Sequence, residues 1–159
     1  MASSKKTPAR PRTAPSTRVI DVSAALIFHQ GKLLITQRRA DAHLGGLWEF
    51  PGGKRESGET FESCLIREIR EELGVEIAVG PLLESVTHAY PEKTVRLEFF
   101  ICRLVAGDPR PLGCAGLKWV RRSDLAEHSF PAADGRLLEK LRNFSEWPPR
   151  LGDRQTVTG

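Results

Sequence analysis

The sequence predicts an α+β fold, a mixed β-sheet flanked by helices. Three observations carry that expectation. Apolar residues alternate with polar ones, or form short β-branched runs, over most of the chain between residues 19 and 120. One stretch near the middle instead repeats its apolar residues every four positions. A second helical pattern follows the last strand, and no segment repeats another.

The first strand is expected over Val19–Phe28, with Gln30-Gly31-Lys32 as a tight turn and Leu33–Arg38 returning as its hairpin partner. A polar stretch holding Gly45 and Gly46 leads to the short strand Trp48-Glu49-Phe50, which Pro51-Gly52-Gly53 should stop. The central helix is expected over residues 60–73. Thr60 supplies an N-cap oxygen, Phe61, Leu65, Ile69 and Leu73 line one face, and Gly74 closes the helix. Strand character returns at Leu82–His88 and Val95–Val105, with Tyr90-Pro91-Glu92-Lys93 as the turn between them. Gly107, Pro109, Pro111 and Gly113 mark a loop before the strand Leu117–Val120. A helical turn capped by Ser123 follows, then a last helix over Ala133–Asn143 with Leu137, Leu138 and Leu141 inward. Trp48 and Trp119 are read as core. The expected domain is residues 18–144, between a disordered basic tail at 1–17 and a flexible tail at 145–159.

The chain has 159 residues and a formal charge of +4. That charge is unevenly spread: Lys5, Lys6, Arg10, Arg12 and Arg18 stand in an acid-free N-terminal segment, so residues 19–159 sum to −1. The basic pI of about 9.2 therefore describes the tail. No apolar run approaches the length of a membrane helix, so no membrane association is expected. Cys64, Cys102 and Cys114 are odd in number and widely spaced, which argues against a disulfide scaffold or a structural zinc site. With no secretory signal in the first residues, the expected location is the cytoplasm.

The chemistry is expected on the central helix. Glu68, Glu71 and Glu72 stand at i, i+3 and i+4, within about 100° of one another around the helix axis. Like charges at that spacing repel by a few tenths of a kcal/mol per pair, a cost that a divalent cation would offset. Oxygen-only ligands point to Mg²⁺, or Mn²⁺, rather than zinc. Backbone carbonyls of Pro51-Gly52-Gly53 can add a ligand, and Arg67 can orient a carboxylate through its planar fork. A solvated acidic face is the plainer reading of such a helix taken alone.

The full spacing decides between the two. Gly53, five residues, Glu59, seven residues, Arg67-Glu68-Ile69, one residue, Glu71-Glu72, one residue, Gly74-Val75 matches every specified position of the Nudix box. The segments ITQRRADAHLGGLWEFPGGK, HAYPEKTVRLEFFICRL, LKWV and FPAADGRLLEKL extend the resemblance to the MutT-type branch, from Ile20 to about Leu141. The resemblance implies the α/β/α Nudix sandwich and a nucleotide substrate. In that branch water attacks the β-phosphorus of a nucleoside triphosphate, 8-oxo-dGTP being the leading substrate, and nucleoside monophosphate and pyrophosphate leave. By resemblance Glu68 and Glu72 are metal ligands, Glu71 a ligand or base, Glu59 an outer ligand, the Gly52 carbonyl a further ligand, and Arg67 positions the glutamates. Arg38, Lys54 and Lys93 match basic positions that meet the nucleotide, and Phe50 matches one whose backbone meets the base.

Two departures stand out. Asp134 falls where the founding MutT enzyme has an asparagine that reads the base; an ionised carboxylate only accepts hydrogen bonds, which suits a guanine edge or a cytosine amine. An N-cap for the last helix is its bland role. Gly113 falls where many MutT-type enzymes carry a further glutamate. Cytidine nucleotides and ADP-ribose-type nucleoside diphosphate derivatives are the alternative substrates. A non-hydrolytic MutT-like module that binds nucleic acid is the alternative class. No obligate nucleic-acid partner is expected, and the sequence does not set the oligomeric state.

Overall fold

A computed structural model describes residues 18–150. Strands β1 (Arg18–His29), β2 (Lys32–Gln37), β3 (Trp48–Glu49) and β4 (Gly52–Lys54) precede helix α1 (Phe61–Leu73). Strands β5 (Glu76–Ala89), β6 (Lys93–Ala106) and β7 (Gly116–Val120) follow, then two 3₁₀ turns (Arg122–Glu127 and Ala132–Asp134) and helix α2 (Gly135–Asn143). The α+β expectation holds: one mixed sheet of seven strands in the order β3-β2-β1-β6-β5, with β4 on β1 and β7 on β2, is covered by helices on both faces.

Alternation along β1 builds the three layers. Ala24, Leu26 and Phe28 point to the face covered by α2, where Leu137, Leu138 and Leu141 meet them. Ala25 and Ile27 point to the other face, against Leu65, Ile69 and Leu73 of α1. β1 runs parallel to β6 from Arg18↔Lys93 to Phe28↔Arg103. Its opposite edge is divided. Val22–Ala24 pair with β4, whereas Phe28 and His29 pair with β2. The two partners therefore splay apart beside the middle of β1, and the bond from Ala25 N–H to the Pro51 carbonyl (2.7 Å) marks the fork.

Several local expectations are corrected. Gly52 and Gly53 form a strand instead of a stop, because glycine lets β4 lie tight on β1: a Cβ on Gly52 would stand 1.9 Å from the Ser23 carbonyl oxygen. β5 begins at Glu76 rather than Leu82; register shifts between Val79 and Glu84 break the alternation that would have shown it. The Ser123 side chain caps nothing, and Ala133 lies in a 3₁₀ turn ahead of α2. Trp48 and Trp119 pack at the rims of the two cores. Packing continues past residue 144: the Trp147 ring meets Phe28 edge-on (5.5 Å), its Nε1 donates to the Leu141 carbonyl (3.1 Å), and Pro149 is buried. The expected tail at 1–17, and residues 151–159 of the second, lie outside the described residues. Among the described residues no helix is long and apolar enough to cross a membrane.

Candidate active site

Helix α1 is pinned at both ends. Thr60 Oγ1 accepts from Ser63 N–H, and Ser63 Oγ accepts from Thr60 N–H, both at 3.0 Å. Gly74 ends the helix at φ +69°, a left-handed conformation that glycine adopts freely, and its N–H donates to the Arg70 carbonyl. Cys64, Leu65, Ile69 and Leu73 are buried, which turns Glu68 and Glu72 toward β4. Glu68 rests directly on Gly53, where a Cβ would stand 2.3 Å from its Cδ.

Arg67 gathers the acids. Its Nε and one terminal nitrogen donate to the two Glu59 oxygens (2.8 Å each), and the other donates to Glu68 (2.9 Å) and reaches Glu71 (3.4 Å). The same group donates to the Lys54 carbonyl (3.3 Å), tying α1 to β4. Its grip, together with Glu56 N–H, pulls the Glu59 carboxyl down to about 2, and Glu59 in turn holds the guanidinium charged. The loop carrying Glu59 is braced from the sheet. Arg55 donates to the Glu59 carbonyl (2.9 Å) and to Asp21 (2.7 Å), Arg96 also clasps Asp21, and both guanidinium groups lie over the Phe61 ring.

Glu72 has no such partner. It is half-buried, and desolvation followed by the charges of Glu68 and Glu49 pushes its carboxyl up to about 8, eased only by the Gly52 backbone N–H. Among the described residues no three acidic or other ligating side chains converge as a ready metal cage, because Arg67 holds Glu59, Glu68 and Glu71 to itself. The donor chemistry nevertheless fits a hard divalent cation: the side chains offer oxygen alone, and the negative charge around Glu72 is uncompensated.

Beyond the helix, Arg38 pairs with Glu49 (3.0 Å) at the mouth of the fork between β2 and β4. Asp134 is 7% exposed and stands within the fields of both. Burial, then Glu49, pushes its carboxyl up to about 6 against the pull of Arg38. Asp134 sits at the N-cap position of α2 but its side chain makes no cap bond, so the bland role is not the one it fills. Phe50 is buried between Phe130, stacked at 5.2 Å, and Phe99. Lys54 is exposed at the end of β4. Lys93 is not brought to this cluster. Glu98 is level with Gly53 through Ser23, and Lys93 stands five residues further along β6, about 16 Å away at strand spacing.

A model of the NUDIX domain matches residues 23–140, most of the chain. The chain belongs to the Nudix family. Within it the chain is of the MutT type, similar to the 8-oxo-dGTP diphosphatase of Escherichia coli (strain K12), with 33% identity over 126 residues, 79% of this chain and 98% of that protein. It is also 34% identical over 122 residues to the CTP pyrophosphohydrolase of the same organism, covering 77% and 90% of the two chains. A solution structure of the DNA mismatch repair protein MutT from methicillin-resistant Staphylococcus aureus superposes with a TM-score of 0.67 at 35% identity, over 79% of this chain and 97% of that one.

This Nudix chain explains its own departure at Gly113. The loop before β7 is drawn onto the end of α1, where Leu112 and Gly113 N–H groups both donate to the Glu72 carbonyl (3.0 and 3.1 Å). A Cβ on Gly113 would meet Glu72 Cγ at 3.1 Å, a tight contact that a glutamate there relieves only by a shift of a few tenths of an ångström. Sequence reasoning missed three residues that shape the site. Glu49 was seen only as part of a short strand, although it joins the field of Glu72 to that of Asp134. Asp21 and Arg55 brace the Glu59 loop from residues 34 apart, a pairing that no local pattern encodes.

Proposed function

We propose that the chain hydrolyses a nucleoside triphosphate, 8-oxo-dGTP foremost, to nucleoside monophosphate and pyrophosphate with Mg²⁺ as its ion and Mn²⁺ as a substitute. The observation that carries this reading is the carboxylate cluster of α1, in which Glu68 rests on Gly53 of β4 and Glu72 beside it has no cationic partner. The names of the two E. coli relatives support it. Glu68, Glu72 and the Gly52 carbonyl would hold the cation, with Glu59 and Glu71 as outer partners. Bound there, the cation neutralises phosphate charge and acidifies the attacking water.

The chain supplies the rest. Arg67 keeps Glu68 and Glu71 from collapsing away from the site, an electrostatic positioning role. Glu71 is the most exposed of the three acids and is free to take a proton from water. Arg38 and Lys54 meet the phosphates and sugar from the fork, while the Phe50 backbone and Asp134 meet the base. Lys93 stands apart from this group at the start of β6. Asp134 also favours a second reading, a cytidine nucleotide, since a buried carboxylate accepts well from an exocyclic amine.

Incubation with Mg²⁺ and 8-oxo-dGTP, dGTP, dCTP, CTP and ADP-ribose, with anion-exchange separation of products, tests this. The expected result is fastest release of monophosphate and pyrophosphate from 8-oxo-dGTP; preference for the cytidine nucleotides selects the second reading. Cleavage of ADP-ribose alone overturns the triphosphate assignment. Glu72→Gln and Glu71→Gln should each lower kcat by at least about 10²-fold with unaltered circular dichroism. Full turnover in both would remove the metal role of the cluster.

A further inference from the structure

A basic cleft lies at the tip of the β1–β2 hairpin. The β1–β2 turn, the start of the 3₁₀ turn after β7 and the last turn of α2 enclose an open cleft of about 640 Å³. Its lining is Gln30, Gly31, Lys32, Arg121, Arg122, Ser123, Ala126 and Arg142. Four of these eight residues are cationic and none is acidic, although Asp124 and Glu127 stand on the same 3₁₀ turn. Among the described residues Lys32, Arg121, Arg122 and Arg142 make no salt bridge. The Arg122 guanidinium is held in place by the Phe144 carbonyl. The turn is seven residues along β1 from Ser23, about 23 Å from the level of Gly53 and Glu68, so the cleft is separate from the glutamates.

Four cations brought together from three parts of the fold repel one another, and among the described residues no salt bridge neutralises them. An anion would. Guanidinium forks match the spacing of phosphate oxygens and bond them in pairs, and the Ser123 hydroxyl, which caps no helix, is free to donate as well. The volume falls in the range of small-molecule sites and exceeds what one phosphate fills. The lining has no aromatic side chain on which bases could stack, which disfavours a nucleic-acid strand. We propose that this cleft binds an oligophosphate, a small anion carrying two or more linked phosphate groups, at a site distinct from the one that cleaves nucleotides.

Inorganic tripolyphosphate is the probe. Titration calorimetry of the full chain in EDTA keeps divalent ions from the glutamates. One-to-one binding is expected, with an affinity that falls as salt rises. Lys32→Gln with Arg142→Gln should weaken it more than tenfold, since two charged donors to phosphate oxygens are lost. Arg121→Gln serves as an independent single variant. The double variant should hydrolyse nucleotides at the wild-type rate, and Arg38→Gln should bind tripolyphosphate unchanged. Loss of binding in Arg38→Gln rather than in the cleft variants would place the anion in the nucleotide site and overturn the proposal. Unchanged affinity in all the cleft variants, or an oligonucleotide that binds more tightly than tripolyphosphate at equal phosphate concentration, would overturn it too.

Discussion

Asp134 shows how burial gives a single residue its behaviour. Its carboxyl lies inside the domain with Glu49 nearby, and its pKa rises from 3.8 to about 6. The folded chain thus holds this proton more tightly than the unfolded chain. The associated stability is fully present below about pH 3.8 and is lost as pH rises through about 6. Asp134→Asn should remove that loss. Between pH 4 and 7.5 the variant should gain about 2 kcal/mol relative to the wild type in urea melts. Parallel pH profiles for the two proteins would show that Asp134 is solvated. Position 134 was legible as a base-pocket candidate from its FPAAD context, but its depth and its place within the fields of Glu49 and Arg38 were not. Those depend on which strand ends meet at the fork.

At the scale of the element, α1 carries both the stability and the chemistry of its region. Its start rests on the reciprocal Thr60–Ser63 bonds. Thr60→Ala should cost about 1 kcal/mol and lower the melting temperature by a few degrees. It should also lower turnover more than a surface substitution of equal stability, because the first turn adjoins the loop of Glu59. An unshifted melt would mean that tertiary contacts alone fix the helix start. This helix was the most legible element of the chain: cap, four-residue spacing and terminal glycine all act within one turn of the residues that show them. β5 was half legible, because its bulges at Val79–Leu82 disrupt the two-residue period. β4 was not legible. Pro51-Gly52-Gly53 reads as a breaker by composition, and it is a strand only because β1 presents a free edge onto which side-chain-free backbone can close.

Across the whole molecule, the packed domain ends later than composition suggests. Trp147 seals the α2 face of the core against Phe28 and Leu141. Trp147→Ala should therefore destabilise the protein by roughly 1–3 kcal/mol, as expected for removing a half-buried aromatic ring. Thermal denaturation is the direct check, and a wild-type melting temperature would mark residues 145–150 as a loosely attached tail. The same scale separates two charged regions: a carboxylate cluster beside the middle of β1 and a basic cleft past its C-terminal end. Such a division arises only when the hairpin turn, the end of β7 and the end of α2 are folded together.

The family, the layered α+β fold and the glutamates of α1 are legible in the chain's residue pattern alone. Each of those rests on short-range spacing: side-chain periods of 2 and 3.6 residues, and a fixed run of residues in the Nudix box. The folded arrangement sets which charges meet. It sets Arg67 on four acids, leaves Glu72 without a cation, brings Glu49 into the field of Asp134, draws Gly113 onto Glu72 and keeps Lys93 away. The physical reason is that electrostatic and steric contacts depend on through-space distances of a few ångströms. In this fold those distances are set by strand register and by the fork in the edge of β1, to which residues far apart in the chain contribute jointly.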